Sequence, residues 1–124
     1  MKFSTSSQDY LEAILELSSE HVQIRSVDLS EKMAVTRASV NRAIGVLKSL
    51  GFINHEKYSD IVLTEEGRRA AIAVKVRHTT LKNFLQQVLG VGEEVAEIDA
   101  CRMEHSVSLE TLEKLRNFME KQLK

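Results

Sequence analysis

The sequence predicts a mainly α-helical protein, with a winged helix-turn-helix at its N-terminal end and helices throughout its C-terminal half. Proline is absent and there are five glycines among the 124 residues, a composition that favours helices with glycine at their ends. Apolar residues recur at helical spacing along most of the chain, and a short apolar hairpin pattern follows residue 51. We expect two domains, over residues 1–64 and 65–124.

The first two helices are predicted from apolar spacing and polar starts. Residues 6–19 carry apolar residues on one face, after serines and close to Asp9, as expected at a helix N-terminus. Ser26 is the predicted N-cap of the second helix, in which we expect Val27, Leu29 and Met33 to pack inward.

The third helix is predicted to begin after Thr36 as N-cap and to end at Gly51. Its apolar stripe is Val40, Ile44, Leu47 and Leu50. Two short helices joined by a tight turn, with basic residues on the outer face of the second, are typical of a helix-turn-helix. The apolar residues 52–53 and 61–63 then flank the polar tip "NHEKYSD", which predicts a wing.

Three further helices are predicted in the C-terminal half. Thr64 caps a long one that ends near Gly90, although Gly67 within its first turns is unfavourable for a helix. A shorter helix covers about residues 93–104, and Ser108 caps the last.

Composition and charge limit the class of protein. The net charge is only −1, but residues 32–57 hold five basic residues and one acid, whereas residues 93–113 hold seven acids and one base. The basic segment is suited to binding an anion, and the acidic segment is suited to binding a cation. The single cysteine fits a reducing compartment, and no signal peptide or membrane span is visible, so we expect a cytoplasmic protein without a membrane partner.

The outer face of the third helix is the predicted DNA contact. Arginine pairs with guanine and asparagine with adenine in the major groove, while hydroxyls and a lysine at the wing tip reach phosphates. The predicted DNA-binding residues are Thr36, Arg37, Ser39, Asn41, Arg42 and Lys57. The expected partner is a double-stranded, palindromic operator read by a homodimer. A set of apolar residues on the C-terminal helices is expected to form the dimer surface; the alternative is that they are core. These residues are Leu81, Phe84, Leu85, Val88, Leu112, Leu115 and Phe118.

Six side chains of metal-ligand type fall on three predicted helices. Cys101, Glu104 and His105 share one helix face at i, i+3 and i+4, and Asp9 and Glu12 form a second pair. His78 lies within the long helix. Such donors suit a first-row transition metal. Alternatively, Cys101 is a small core residue and His78 a satisfied interhelical histidine.

Nearly the whole chain resembles the metal-dependent transcriptional repressors of the DtxR/MntR family, in a short form without an SH3-like domain. The matching stretches are "DYLEAILEL", "SVNRAIGVLKSLGFI", "YSDIVLTEEGRRAA", "RHTTLKNFLQQVLGV" and "ACRMEHSVS". The resemblance implies a winged helix joined to a helical dimerisation domain, with Mn(II) or Fe(II) as corepressor. It implies these metal ligands: Asp9, Glu12, His78, Cys101, Glu104 and His105.

Two departures from the family pattern concern the metal. Cys101 stands where the manganese branch has glutamate and the iron branch cysteine, while Asp9 follows the manganese branch. Carboxylates favour Mn(II), and a thiolate favours Fe(II), Co(II) or Zn(II), so metal identity stays open. Lys82 replaces a glutamate of the iron branch's ancillary site, which we expect to be missing or altered.

Two alternative functions compete with this one. A metal-independent winged-helix regulator would use Cys101 as a redox switch, but the acidic residues around Cys101 disfavour its thiolate. A metalloenzyme would need a motif such as H-E-x-x-H or a nucleophile–base pair, which the sequence does not offer. We therefore predict a metal-activated repressor of metal homeostasis, neither an enzyme nor a binder of a small-molecule substrate.

Overall fold

The computed structural model describes residues 3–20, 23–56 and 60–122. Along these residues the order is α1 (Thr5–Glu20), α2 (Ser26–Met33), α3 (Arg37–Ser49), β1 (Ile53–Asn54), β2 (Val62–Leu63), α4 (Glu65–Asn83), a π-helical segment (Phe84–Val88), α5 (Glu93–Met103) and α6 (Leu109–Gln122). The chain divides into two compact units, Met1–Val74 and Lys75–Lys124, and the boundary falls within the sequence of α4. The domain boundary at residue 64 stays a prediction.

The first unit is a three-helix core followed by a small wing. Leu11, Ile14, Leu29, Val40 and Leu47 are buried together, so α1, α2 and α3 share one aliphatic core. β1 and β2 are antiparallel, with Ile53 opposite Leu63 and Asn54 opposite Val62. The wing is attached at its base because the Ile61 N–H donates to the Ile24 carbonyl at 2.8 Å. This arrangement confirms the predicted winged helix-turn-helix.

The ends of α3 follow the predicted local chemistry. The Thr36 side chain accepts a hydrogen bond from the Ser39 N–H at 3.1 Å, which makes Thr36 the N-cap. At the other end Gly51 has a φ of 80°, and the Phe52 N–H donates to the Leu47 carbonyl at 3.0 Å. These contacts form a Schellman motif, which ends the helix where the glycine was predicted to end it.

Three details of the first unit differ from prediction. The N-cap of α2 is Arg25, whose N–H donates to the Asp28 carboxylate at 2.8 Å, so Ser26 is the first helical residue. Val27 and Leu50 are exposed, with 36% and 43% of their surface accessible. Val27 is two residues from the buried Leu29 and so lies on the other side of α2, and Leu50 is the C-cap at the end of α3. The turn between α2 and α3 contains Ala34 with a φ of 55°, which the sequence did not indicate.

Gly67 is required where α4 passes the wing. A Cβ at this position would lie 1.8 Å from the Phe52 carbonyl oxygen, whereas a Cβ at Gly45 in α3 would meet nothing within 4 Å. The glycine that weakened the helix prediction is therefore a consequence of close packing between α4 and the start of β1.

We expect Gly67→Ala to lower the free energy of unfolding by about 1–3 kcal/mol, because the backbone must shift to admit a methyl group. Gly45→Ala is the matched control and should raise it by about 0.5–1 kcal/mol, since alanine is the better helix former. Urea denaturation of both variants measures the difference. Equal stability of the two variants would show that the contact at Gly67 is easily relieved.

The second unit is a helical cluster around its own core. Leu81 and Leu85 of the long helix and its π-helical end pack with Ala96 and Ala100 of α5 and with Leu112 of α6. The predicted caps of α4 and α6 are confirmed. The Thr64 hydroxyl, at the start of α4 in the first unit, accepts from the Gly67 N–H, and the Ser108 hydroxyl accepts from the Thr111 N–H at the start of α6. Gly90, with a φ of 73°, ends the long helical stretch as predicted.

The predicted dimer surface is partly core. Leu81, Leu85 and Leu112 are at most 7% exposed, so for these three the alternative interpretation is correct. Val88 and Phe118 are exposed, and Phe84 and Leu115 are partly buried. None of the helices in the described part of the chain combines the length and the apolar character that a membrane span requires.

Candidate metal centre and nucleic-acid interface

The centre of the candidate metal site is a buried carboxylate between two imidazoles. Glu104 is 1% exposed. Its Oε2 lies 3.4 Å from Nδ1 of His78, and its Oε1 lies 3.4 Å from Nε2 of His105. Oε2 of Glu104 accepts no hydrogen bond from the described residues. A buried carboxylate is costly unless a positive charge or hydrogen-bond donors compensate it, so this oxygen suits a cation.

Cys101 extends this cluster by one helical turn. Cys101, Glu104 and His105 each offer a ligand atom, and these atoms lie within 4.8 Å of one another. Cys101 is exposed, so its interpretation as a small core residue is wrong. A thiol, a carboxylate and an imidazole nitrogen form a donor set that first-row divalent metals accept, and Nδ1 of His78 faces the other oxygen of the same carboxylate. The residues of the second unit therefore fit a transition-metal ion.

Arg77 holds the turn that presents Glu104 and His105. Its Nε donates to the Glu104 carbonyl at 2.8 Å, and its guanidinium also donates to the Val107 carbonyl. The α5 helix ends here, where the Val107 N–H donates to the Met103 carbonyl at 3.1 Å. A buried arginine on α4 thus fixes the backbone that carries two candidate ligands. This role was not predicted from the sequence, since the partners of Arg77 are carbonyls 27 and 30 residues further along the chain.

Glu97 and Lys82 form a charged pair beside His78. Oε1 of Glu97 accepts from Nε2 of His78 at 3.0 Å, and its Oε2 lies 2.9 Å from Nζ of Lys82. The hydrogen bond from His78, and then that from Lys82, lowers the pKa of Glu97. The hydrogen bond to Glu97 raises the pKa of Lys82. This pairing stabilises the fold above the ordinary carboxyl pKa and weakens as pH falls through the lowered value.

The interhelical interpretation of His78 is therefore correct. Nε2 connects α4 to Glu97 on α5, while Nδ1 faces Glu104. Asp9 and Glu12, the other predicted ligands, lie one turn apart on α1 in the first unit, and both are half-buried.

The predicted DNA-contacting residues lie mainly on the open face of α3. Thr36, Arg37, Asn41 and Arg42 are exposed, and Ser39 is half-buried. The Thr36 hydroxyl caps the helix and donates to Oγ of Ser39 at 3.0 Å, so these two residues also have a structural role. Lys57 lies outside the described residues.

Comparison with known proteins covers both units. Residues 2–61 match the family "Iron dependent repressor, N-terminal DNA binding domain", and residues 64–122 match "Iron dependent repressor, metal binding and dimerisation domain". An HTH-type transcriptional regulator of Methanocaldococcus jannaschii is 38% identical over 119 residues, which is 95% of this chain and 95% of the relative.

The chain belongs to the iron-dependent repressor family.

Two further proteins similar to this chain are transcriptional regulators. The transcriptional regulator MntR of Salmonella typhimurium is 41% identical over 105 residues, covering 85% of this chain and 66% of the relative. A solved structure described as a manganese-dependent transcriptional repressor in complex with manganese is 28% identical, with a TM-score of 0.81, over 92% of this chain and 52% of that one. The chain thus spans about half of that structure and two thirds of that relative.

Family membership confirms several predictions from the sequence. The iron-dependent repressor family combines a DNA-binding domain with a metal-binding and dimerisation domain, which agrees with the predicted resemblance, fold class and divalent-metal cofactor. It also agrees with a DNA-binding, dimeric regulator rather than an enzyme.

Proposed function

We propose that the protein is a metal-activated transcriptional repressor that controls metal homeostasis in the cytoplasm, with Mn(II) or Fe(II) as corepressor. The observation that carries this proposal is the buried carboxylate of Glu104 between the imidazoles of His78 and His105, within a domain that the family uses for metal binding. The family's DNA-binding domain in the same chain supplies the activity that a metal would regulate.

The metal is proposed to bind Nδ1 of His78, the Glu104 carboxylate and Nε2 of His105, with the Cys101 thiolate as a further donor. Asp9 and Glu12 are proposed to complete the site, supported by their carboxylate chemistry and by the family pattern at these positions. When bound, the cation supplies positive charge to a carboxylate-rich site and so removes the repulsion among its oxygens.

DNA binding is proposed to depend on the metal because the six ligands come from both the DNA-binding part and the dimerisation part of the chain. A metal that binds one arrangement of these parts better than others shifts the population toward that arrangement. A coupling free energy of about 1–3 kcal/mol would change DNA affinity about 5–150-fold.

The proposed DNA contact is the exposed face of α3. Arg37, Asn41 and Arg42 would contact base edges in the major groove, and Thr36, Ser39 and Lys57 would contact phosphates. Because a homodimer presents two equivalent recognition helices, we propose a palindromic operator.

Exposed apolar residues of the second unit support a dimer. Val95 and Ile98, one turn apart on α5, are 55% and 53% exposed, and Leu89 and Leu109 are more exposed still. Exposed apolar surface of this kind is typical of a protein–protein interface.

The test is DNA affinity with and without metal, using duplexes selected from a random pool by the protein in Mn(II) and, in parallel, in excess chelator. We expect Mn(II) or Fe(II) to tighten binding about 5–150-fold. Equal affinity in metal and in chelator would contradict the proposal. Affinity that instead followed oxidation of Cys101 would favour the metal-independent alternative.

A further inference from the structure

The side chains of Lys82, Glu97 and His78 form a continuous chain that ends at the candidate metal site. Lys82 Nζ donates to Glu97 Oε2 at 2.9 Å, and Glu97 Oε1 lies 3.0 Å from His78 Nε2. The other nitrogen of His78, Nδ1, faces Glu104 Oε2 at 3.4 Å. Each ring nitrogen of His78 therefore has its own carboxylate, and only the Glu104 carboxylate is buried.

We infer that Glu97, held in place by Lys82, is a positioning residue that fixes the proton of His78 on Nε2 and leaves the lone pair of Nδ1 for the metal. This inference rests on the proposed function. Glu97 itself does not bind the metal in this account. It acts through the histidine.

The hydrogen-bond chemistry supports this assignment. A neutral imidazole carries one proton, and an ionised carboxylate can only accept, so the shorter contact, 3.0 Å to Glu97 against 3.4 Å to Glu104, favours the proton on Nε2. Metal-binding histidines commonly donate their second ring N–H to a carboxylate or carbonyl, which orients the ring and selects the tautomer.

Lys82 is needed because Glu97 is an exposed side chain. Half of the Glu97 side chain is accessible, 52%, and an unrestrained carboxylate there would rotate between solvent and His78. Lys82 lies one turn after His78 on α4, and Glu97 lies one turn after Glu93 on α5. The Lys82 ammonium also lies 3.8 Å from the Glu93 carboxylate. His78 and Lys82 on α4 thus face Glu93 and Glu97 on α5.

The positioning role predicts that Glu97→Ala weakens Zn(II) binding more than either Glu97→Gln or Lys82→Met does. Glu97→Ala removes the acceptor and should weaken Zn(II) binding about 10–100-fold. Glu97→Gln keeps one acceptor oxygen and should lose less affinity than Glu97→Ala. Lys82→Met keeps the Glu97 carboxylate but removes the ion pair that restrains it. The loss of Zn(II) affinity in this variant should therefore also be smaller than in Glu97→Ala.

The experiment combines Zn(II) affinity, measured by competition with a chelating dye, with ¹⁵N NMR of His78 in the full chain at mildly alkaline pH. The wild-type imidazole should carry its proton on Nε2 with and without Zn(II), and apo Glu97→Ala should show a mixture of tautomers. Glu94→Ala is the matched control, since it removes the same charge from an exposed position on α5. It should preserve the tautomer and most of the affinity.

The outcomes separate this inference from the proposed function. Wild-type Zn(II) affinity in Glu97→Ala, with or without a change of tautomer, would overturn the positioning role while leaving the metal site intact. Equal losses in Glu97→Ala and Glu94→Ala would assign the effect to charge alone and overturn it too. A wild-type chain that binds neither Zn(II) nor Mn(II) would overturn both proposals.

Discussion

Glu104→Gln is expected to abolish metal-activated DNA binding while leaving the protein folded. The substitution removes the charge between the two imidazoles but keeps the shape of the side chain. Arg77 binds the backbone carbonyl of Glu104 rather than its carboxylate, so the turn after α5 should persist. In the presence of Mn(II), DNA affinity should fall to the metal-free level, a loss of about 5–150-fold.

The same variant should keep or increase the thermal stability of the metal-free protein. A buried carboxylate with incomplete compensation destabilises the fold, and an amide lacks its charge. Fluorescence anisotropy with a selected duplex measures the DNA affinity, and calorimetry measures the melting temperature. Glu94→Gln, on the exposed side of α5, is the control and should retain full activation by metal. Retained activation in Glu104→Gln would remove Glu104 from the metal site.

A double substitution on α3, Arg37→Ala with Arg42→Ala, should weaken DNA binding whether or not metal is present. Each arginine paired bidentately with guanine contributes about 1–3 kcal/mol of discrimination, so both together should cost about 2–6 kcal/mol per chain. Both side chains are exposed, so stability should hardly change. Metal affinity of the free protein should also be unchanged, since neither residue is a proposed ligand.

The control for this pair is Lys48→Ala, at the opposite end of the same helix. Lys48 is exposed and basic but lies away from the first turns of α3, so its loss should reduce DNA affinity only slightly. Electrophoretic mobility shifts at several salt concentrations compare the variants. An equal effect of Lys48→Ala and the arginine pair would indicate general charge attraction rather than base contacts.

Local chemistry made much of the fold predictable. Thr36, Thr64 and Ser108 cap their helices as predicted, because a cap depends on residues only two or three positions away. The cap of α2 was displaced by one residue because Asp28 accepts from the Arg25 backbone rather than Ser26 accepting from the helix. Gly67 was misleading, since the Phe52 carbonyl that excludes a side chain there is distant in sequence.

The candidate site was predictable only in part, for the same reason. Helical spacing placed Cys101, Glu104 and His105 together, and His78 was a candidate by its residue type and its place in the long helix, which the family resemblance then supported. The supporting contacts of Arg77 and Glu97 join different helices, and spacing within one helix does not reveal them. The sequence nonetheless contained a pattern that indicates the charged contacts between α4 and α5. His78 and Lys82 are four residues apart on α4, and Glu93 and Glu97 are four residues apart on α5, so each pair lies on one face of its helix.

The central claim is that metal binding and DNA binding are linked, and the most direct test is Mn(II) affinity measured with and without a selected operator duplex. Linkage is reciprocal, so DNA must tighten metal binding by the same factor by which metal tightens DNA binding. The account predicts about 5–150-fold tighter Mn(II) binding on the operator. Identical Mn(II) affinities for the free and the DNA-bound protein would contradict it.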